Sequence, residues 1–447
     1  MLHTISPIDG RYFEKTKELS SYFSEAALMS YRCHVEIEYL IALIETGIIA
    51  KHELNGEQKE NLRNLVKTFN DENATTIKTI EAKINHDVKA IEYFIKEKLD
   101  QTNLTDLREW IHFGLTSQDI NNSAFPLMIR NAYREIIIPE MKSTRLAIYD
   151  FALATKDIPM LAFTHGQPAS PTLLGKEMMV FIERLDLQID QLEKIELKVK
   201  FGGATGNFNA HEAAFPNVNW IDWADRFTQK YLKIERYKYT TQIEHYDQLA
   251  ALCHATMRIN TILIDFCRDI WTYISMNYLT QKVNAQEVGS SAMPHKVNPI
   301  DFENAEGNLG YANAILGHLA DKLPVSRLQR DLTDSTVLRN IGVPVAHSLL
   351  SLKSIQKGLA KLSVNEKKTT EDLNDNWPVL AEAIQTILRR EGVSNPYEML
   401  KDLTRGKEKL SKESLHQFIQ NLKVNEGVKE ELRKLTPSTY TGVKFNF

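Results

Sequence analysis

Cysteine, long apolar runs and an excess of one charge are all scarce in this sequence, and each scarcity excludes something. Only Cys33, Cys253 and Cys267 occur in 447 residues, an odd number with no C-x-x-C pair. A disulfide framework and a cysteine-built zinc site are therefore set aside, and a reducing compartment is expected. The longest apolar stretch, Tyr39 to Ala50, is broken by Glu45 and is too short to span a bilayer. The opening MLHTISPIDGR has no apolar h-region, so no signal peptide is expected and a cytoplasmic location is. Lys and Arg number 54 against 58 Asp and Glu, a net charge of −4, which argues against nucleic acid as the main partner. No G-x-x-x-x-G-K-[ST], G-x-G-x-x-G, G-x-S-x-G or H-E-x-x-H is present. Chemistries built on those motifs lose support.

Proline and glycine are also unevenly spread. Neither occurs from 217 to 288, from 57 to 113, from 11 to 46, or from 176 to 201. Sheet proteins need turn residues far more often, so these runs predict long helices. Met178, Phe181, Leu185, Ile189, Leu192, Ile195 and Val199 recur at steps of three and four, as do Ile259, Ile262, Phe266, Ile270 and Tyr273. Such stripes pack as helical bundles and need no role beyond core. The length suggests about three domains. We place them at 1–111, 112–360 and 361–447, the last a small helical domain rich in Lys and Glu. The expected class is all-α with a long central bundle.

Punctuation gathers in a few segments, where function tends to sit. The segment Gly289 to Pro299 reads Gly-Ser-Ser-Ala-Met-Pro-His-Lys-Val-Asn-Pro. Its glycine permits unusual backbone angles, and Lys296 and Asn298 supply a cation and amide donors. A serine becomes a usable base only where such an electropositive surround stabilises its alkoxide. The string resembles the G-S-S-x-M-P-x-K-x-N-P signature of the fumarase/aspartase superfamily, with every fixed position filled. That resemblance implies an all-α homotetramer and β-elimination of fumarate, with Ser290 as the base that removes the Cβ proton. No metal and no cofactor is implied.

Other segments carry the resemblance across the chain. Thr164 to Ala169 is similar to the family's general-acid loop and makes His165 the acid; a histidine titrates near neutrality, which suits the role. Glu303 resembles the carboxylate that orients this histidine, although a solvated helix face explains it equally. Asn85-His86-Asp87, inside a proline-free stretch read as helical, resembles the N-H-D element beside the substrate, with His86 in a supporting role; a polar cap explains the triplet as readily. Thr116-Ser117-Gln118-Asp119 resembles the T-S-x-D element that holds the succinyl carboxylates.

Three features distinguish among the superfamily's branches. His295 before Lys296 fits the adenylosuccinate lyases and the carboxymuconate cycloisomerases. The string from Ser326 to Asn340 places Arg330, Ser335 and Arg339 close together, chemistry suited to phosphate. It is similar to the R-D-x-[ST]-x-S nucleotide element of the adenylosuccinate lyase family, and Arg11-Tyr12 resembles its N-terminal partner. Gln242 matches a substrate-contacting glutamine. The chain resembles the bacterial branch of that family, whose signature continues K-V-N-P-I-D-F-E-N.

The resemblance implies cleavage of adenylosuccinate to AMP and fumarate, and of the succinylated imidazole-carboxamide ribotide (SAICAR) likewise. The implied substrate contacts are Arg11, Tyr12, Asn85, His86, Asp87, Thr116, Ser117, Gln242, Ser291, Lys296, Val297, Asn298, Asn304, Arg330, Ser335, Thr336, Val337, Leu338 and Arg339. His86, His165 and Ser290 are separated by long helices, so the implied tetramer is expected to share each site between subunits, with small-molecule substrates and no nucleic acid or membrane partner. Two alternatives remain at this point. One is a carboxymuconate cycloisomerase; the other is a catalytically silent helical scaffold, which could dispense with Ser290 or His165.

Overall fold

The computed structural model describes residues 3–282, 297–404 and 411–447, and the chain is mostly helical. It falls into two compact units. One comprises Met1–Lys142, Gln188–Thr261 and Gly307–Lys353; the other comprises Ser143–Leu187, Ile262–Glu306 and Ser354–Phe447.

The first unit is organised on the helix Glu25–Glu45, which Ser24 opens by accepting the Ala27 N–H. Val35, Tyr39, Leu40 and Ile41 on it are fully buried. The Tyr39 ring stands 5.4 to 5.7 Å from the rings of Phe201, Trp223 and Phe227. Around this axis lie the helices Gly56–Lys67, Asp71–Ile84, Asp87–Asp100 and Ser117–Ala132. Each of the first three opens on a side chain that satisfies an otherwise unpaired N–H: Asn55 with Gln58, Asn70 with Asn73, and His86 alone.

These caps correct the reading of 57 to 113 as one helical stretch. Asn85 ends Asp71–Ile84 in the left-handed region at φ 55°, and His86 begins the next helix. The run from 217 is divided too. Helix Trp220–Phe227 passes into a π turn, Lys233 and Tyr246 take φ of 56° and 61°, and the helix Asp247–Ser275 follows. Polar and aromatic residues thus end helices here without glycine.

In the second unit, the segment around His165 is a β-hairpin rather than an irregular loop. β1 (Pro159–Thr164) pairs antiparallel with β2 (Gln167–Leu173), with Thr164 opposite Gln167. His165 and Gly166, at φ 54° and 71°, form a two-residue turn of type I′. β3 (Leu279–Gln281) and β4 (Leu362–Val364) form a second small antiparallel pair. Toward the C-terminus, Trp377, Leu380, Ile384, Leu388, Leu415 and Ile419 share a core of their own. Five helices contribute residues to both units: Ile138–Ala154, Leu174–Glu193, Asp247–Ser275, Ile300–Lys322 and Gly342–Leu359.

Candidate active site

The first unit gathers predicted residues in three neighbourhoods. One begins at the entry to the helix Ser117–Ala132. Asp119, fully buried, accepts the Thr116 N–H with Oδ2 at 2.8 Å. Its Oδ1 accepts from Lys200 Nζ at 2.7 Å and from the N–H groups of Gly202 and Gly203 at 2.8 and 3.1 Å. Burial alone would raise the Asp119 carboxyl, but the Lys200 charge and these donors hold it below the usual range. The preceding residues are fixed as firmly. Tyr39 donates to the Phe113 carbonyl at 2.9 Å and meets His211 Nε2 at 3.0 Å. A Cβ on Gly114 would fall 2.9 Å from that same Nε2, so only glycine fits. Burial depresses His211 to about 4 and keeps the ring neutral. Thr116 and Ser117 are therefore presented by a buried, fully specified frame.

The second neighbourhood joins Asp87 and Arg339, 252 residues apart. Arg339 Nη2 donates to Asp87 Oδ2 at 2.6 Å, and Arg32 Nη2 donates to the same oxygen at 2.7 Å. Arg32 Nε also donates to Asn121 Oδ1 at 2.8 Å. Burial would raise Asp87, but the charge of Arg32 and the hydrogen bonds from both guanidinium groups hold it well below the ordinary carboxylate value. His86 Nδ1 accepts the Lys89 N–H at 3.1 Å, so a neutral ring carries its proton on Nε2. His86 and Asn85 are exposed.

In the third neighbourhood, Arg330 reaches Gln242 Oε1 through Nη1 at 3.1 Å and Ser335 Oγ through Nη2 at 2.9 Å. Gln118 Nε2 donates to Ser335 at 3.3 Å. Beneath them, Tyr246 donates to Asp334 at 3.0 Å and accepts from Asn122 at 2.8 Å. Glu244 lies alongside, with its N–H on Asn122 Oδ1 at 3.0 Å and its own Oε2 accepting from the Tyr246 N–H at 3.0 Å. Burial pushes the Glu244 carboxyl up to about 8, with Asp247 adding to it, so the group is mostly protonated at neutral pH.

The remaining predicted residues of this unit are more scattered. Arg11 is exposed and its guanidinium lies 5.8 Å from the centre of the Tyr12 ring. Arg339 forms part of the wall of a cleft of about 190 Å³, with Ile8, Asp9, Phe13 and Gly342. Thr336, Val337 and Leu338 belong to the short helix Thr333–Leu338, and the Leu338 side chain is core. A larger cavity of about 390 Å³, lined by Arg130, Tyr133, Arg134, Lys198 and Lys233, holds none of the predicted residues.

In the second unit, His165 is exposed at the tip of the β1–β2 turn. Glu303 accepts from Trp271 Nε1 at 3.1 Å. Asn304 accepts from Ser354 at 3.1 Å, and the Val297 carbonyl accepts from Gln281 at 3.3 Å. Asn298 stands beside Val297 at the edge of the described residues. Ser290, Ser291 and Lys296 lie outside them. Among the described residues, no group of three or more His, Cys, Asp or Glu side chains could hold a metal ion.

Comparison with known proteins adds the decisive observation. The chain is 54% identical to the adenylosuccinate lyase of Dictyostelium discoideum, across 99% of this chain and 97% of that protein. It is 48% identical to those of Haemophilus influenzae and Escherichia coli K12, with the same coverage. The chain belongs to the adenylosuccinate lyase family. Residues 10–315 match the family described as Lyase, and residues 326–441 match that described as adenylosuccinate lyase C-terminal. The fold is also that of a 3-carboxy-cis,cis-muconate lactonizing enzyme from Pseudomonas putida, at a TM-score of 0.76 over 95% of this chain and 94% of that one, with 19% identity. A fumarate lyase from Mesorhizobium sp. BNC1 matches at 0.76, with 18% identity and 95% of each chain covered.

Several residues of this adenylosuccinate lyase family member escaped the sequence reading. Arg32, Gln118 and Asp334 touch predicted residues, at Asp87, Ser335 and Arg330 respectively, and Asn122 and Glu244 join Asp334 through Tyr246. Arg32 did leave a signal. It stands four residues after Leu28 and seven before Tyr39, in phase with the core of its helix, where a lone cation is out of place without a buried partner.

Proposed function

We propose that the chain is an adenylosuccinate lyase, a carbon–nitrogen lyase that cleaves adenylosuccinate to AMP and fumarate and acts on SAICAR in the same way. The observation that carries the reading is identity of 48 to 54% to adenylosuccinate lyases along 99% of this chain. In this reading Ser290 takes the Cβ proton, giving a carbanion stabilised as the aci-carboxylate. The C–N electrons then return to nitrogen, which takes its proton from His165, and a C=C bond completes fumarate. Thr116, Ser117, Lys296 and Asn298 hold the succinyl carboxylates. Arg11, Tyr12, Gln242, Arg330, Ser335 and Arg339 hold the phosphoribosyl end; the joined contacts of Gln242, Arg330 and Ser335 support a preformed site there.

The same reading takes the enzyme as a cytoplasmic homotetramer whose sites are shared between subunits, with three domains divided near 111 and 360. Leu146 and Leu153, and Val180 and Leu187, are exposed pairs seven residues apart on the second-unit portions of two long helices, apolar faces that support subunit association. Among the described residues no helix is long and apolar enough to cross a membrane.

The test is the ultraviolet absorbance of fumarate released from adenylosuccinate. Turnover with the purified chain is expected. Folded, helical protein that releases no fumarate would overturn the proposal.

A further inference from the structure

We propose, resting on the lyase reading above, that Arg32 is a positioning residue that aims Arg339 at the substrate phosphate through the carboxylate of Asp87. Three charged groups form a line from the interior to the surface. The Arg32 side chain is 3% exposed, Asp87 is 26% exposed and Arg339 is 46% exposed. Both guanidinium groups close on one oxygen, Asp87 Oδ2, at 2.7 and 2.6 Å. Arg32 is itself fixed at two points, since Nε meets Asn121 at 2.8 Å while Nη2 meets Asp87. A planar fork can satisfy two acceptors in two directions at once, which a lysine ammonium at the end of a flexible stem cannot do as rigidly.

The arrangement has a charge consequence. Two cations and one anion leave a net charge of +1, and it is placed at the exposed end of the line. Arg339 therefore stays attractive to a phosphate while Asp87 restricts its rotation. A carboxylate facing Arg339 alone would fix the arginine less firmly and cancel its charge. Asp87 is also tied to its own helix start, accepting the Val88 N–H at 2.9 Å, so the relay begins and ends on ordered backbone. Among the described residues Arg32 hydrogen-bonds to no position expected to contact substrate except Asp87, and its effect is taken to pass through that residue.

The test is a double-mutant cycle read in kcat/KM for fumarate release, with wild type, Arg32→Met, Arg339→Met and the double variant. Arg32→Met should lower kcat/KM about tenfold, mostly through KM. In the Arg339→Met background the same change should cost less than about twofold, because the residue it aims is gone. With the dephosphorylated substrate, Arg32→Met should act like wild type. Arg32→Lys should recover part of the loss. If Arg32→Met does not fold, Asp87→Asn breaks the same line nearer the surface and replaces it in the cycle. A wild type that releases no fumarate overturns the lyase reading, and this inference with it. An active wild type in which the two losses simply multiply, or in which both substrates suffer equally, overturns the role of Arg32 alone.

Discussion

Replacing Glu244 by Gln should make this protein more stable, increasingly so as the pH rises. Glu244 is 5% exposed and lines a void of about 10 Å³ with Phe125, Pro126, Ile129, Leu197, Leu249 and Leu338. Its carboxyl is raised from 4.5 to about 8 by burial, reinforced by Asp247 and only partly opposed by the Tyr246 N–H. The folded state therefore keeps a proton that the unfolded chain releases above pH 4.5. Stability contributed by that proton is full below pH 4.5 and is lost as the pH climbs through 8. The slope is about 1.4 kcal/mol per pH unit, so the loss is about 2 kcal/mol at pH 6 and about 5 kcal/mol by pH 9. Gln keeps the acceptor for the Tyr246 N–H and has no charge to bury, so it escapes this loss. At about 2 cal/mol/K per residue, a chain of this length gains about 1 °C in Tm per kcal/mol. The variant should then lead wild type by about 3 °C more at pH 9 than at pH 6. Thermal scans at matched protein concentration across this range check the expectation. A Tm difference that does not change with pH would show that Glu244 is already ionised in the fold.

Other outcomes follow from the same geometry. His165→Gln, on an exposed turn, should lower kcat by ~10²–10⁴ with little change in Tm; near-normal turnover would remove His165 as the acid. Lys200→Met leaves the buried Asp119 carboxylate without its cation and should destabilise by about 3–5 kcal/mol. Pairing it with Asp119→Asn should restore part of that, and denaturant titration of the three variants decides. Ser290→Ala and His165→Ala proteins, each inactive, should regain activity when unfolded and reassembled together; mixed oligomers without activity would place both groups of a site on one chain.

The helices were legible because long intervals without proline or glycine leave a chain little else to form. Their ends were not, because the residues that end them are not the expected ones. Asn85, Lys233 and Tyr246 take the left-handed conformation despite carrying side chains, and Asn55 and Asn70 cap helices by hydrogen bonding, which composition does not display; His86 caps the next helix, as the polar-cap reading of Asn85-His86-Asp87 allowed. The hairpin at His165 was hidden for a related reason: its strand QPASPTL carries two prolines, which argues against a strand unless it lies at an edge. At the candidate site, motif resemblance named Gln242, Arg330 and Ser335, but their contact depends on packing across 88 residues of chain. Glu303 is placed by the motif, and packing gives it the further hydrogen bond from Trp271, which no motif displays. The supporting residues Arg32, Asn122 and Glu244 belong to no motif, and only burial reveals that they must be partnered.

With His165 as the proposed acid, the β1–β2 turn would set two selective pressures against each other at one codon. A two-residue turn with both φ values positive favours Asn-Gly, whereas a histidine in the left-handed region costs roughly 1 kcal/mol. Libraries scored only for survival after heating should accumulate His165→Asn beside the unchanged Gly166. Libraries scored for turnover should retain the imidazole and gain heat tolerance elsewhere. The residue found at this turn in an evolved population would record which of the two pressures had acted on it.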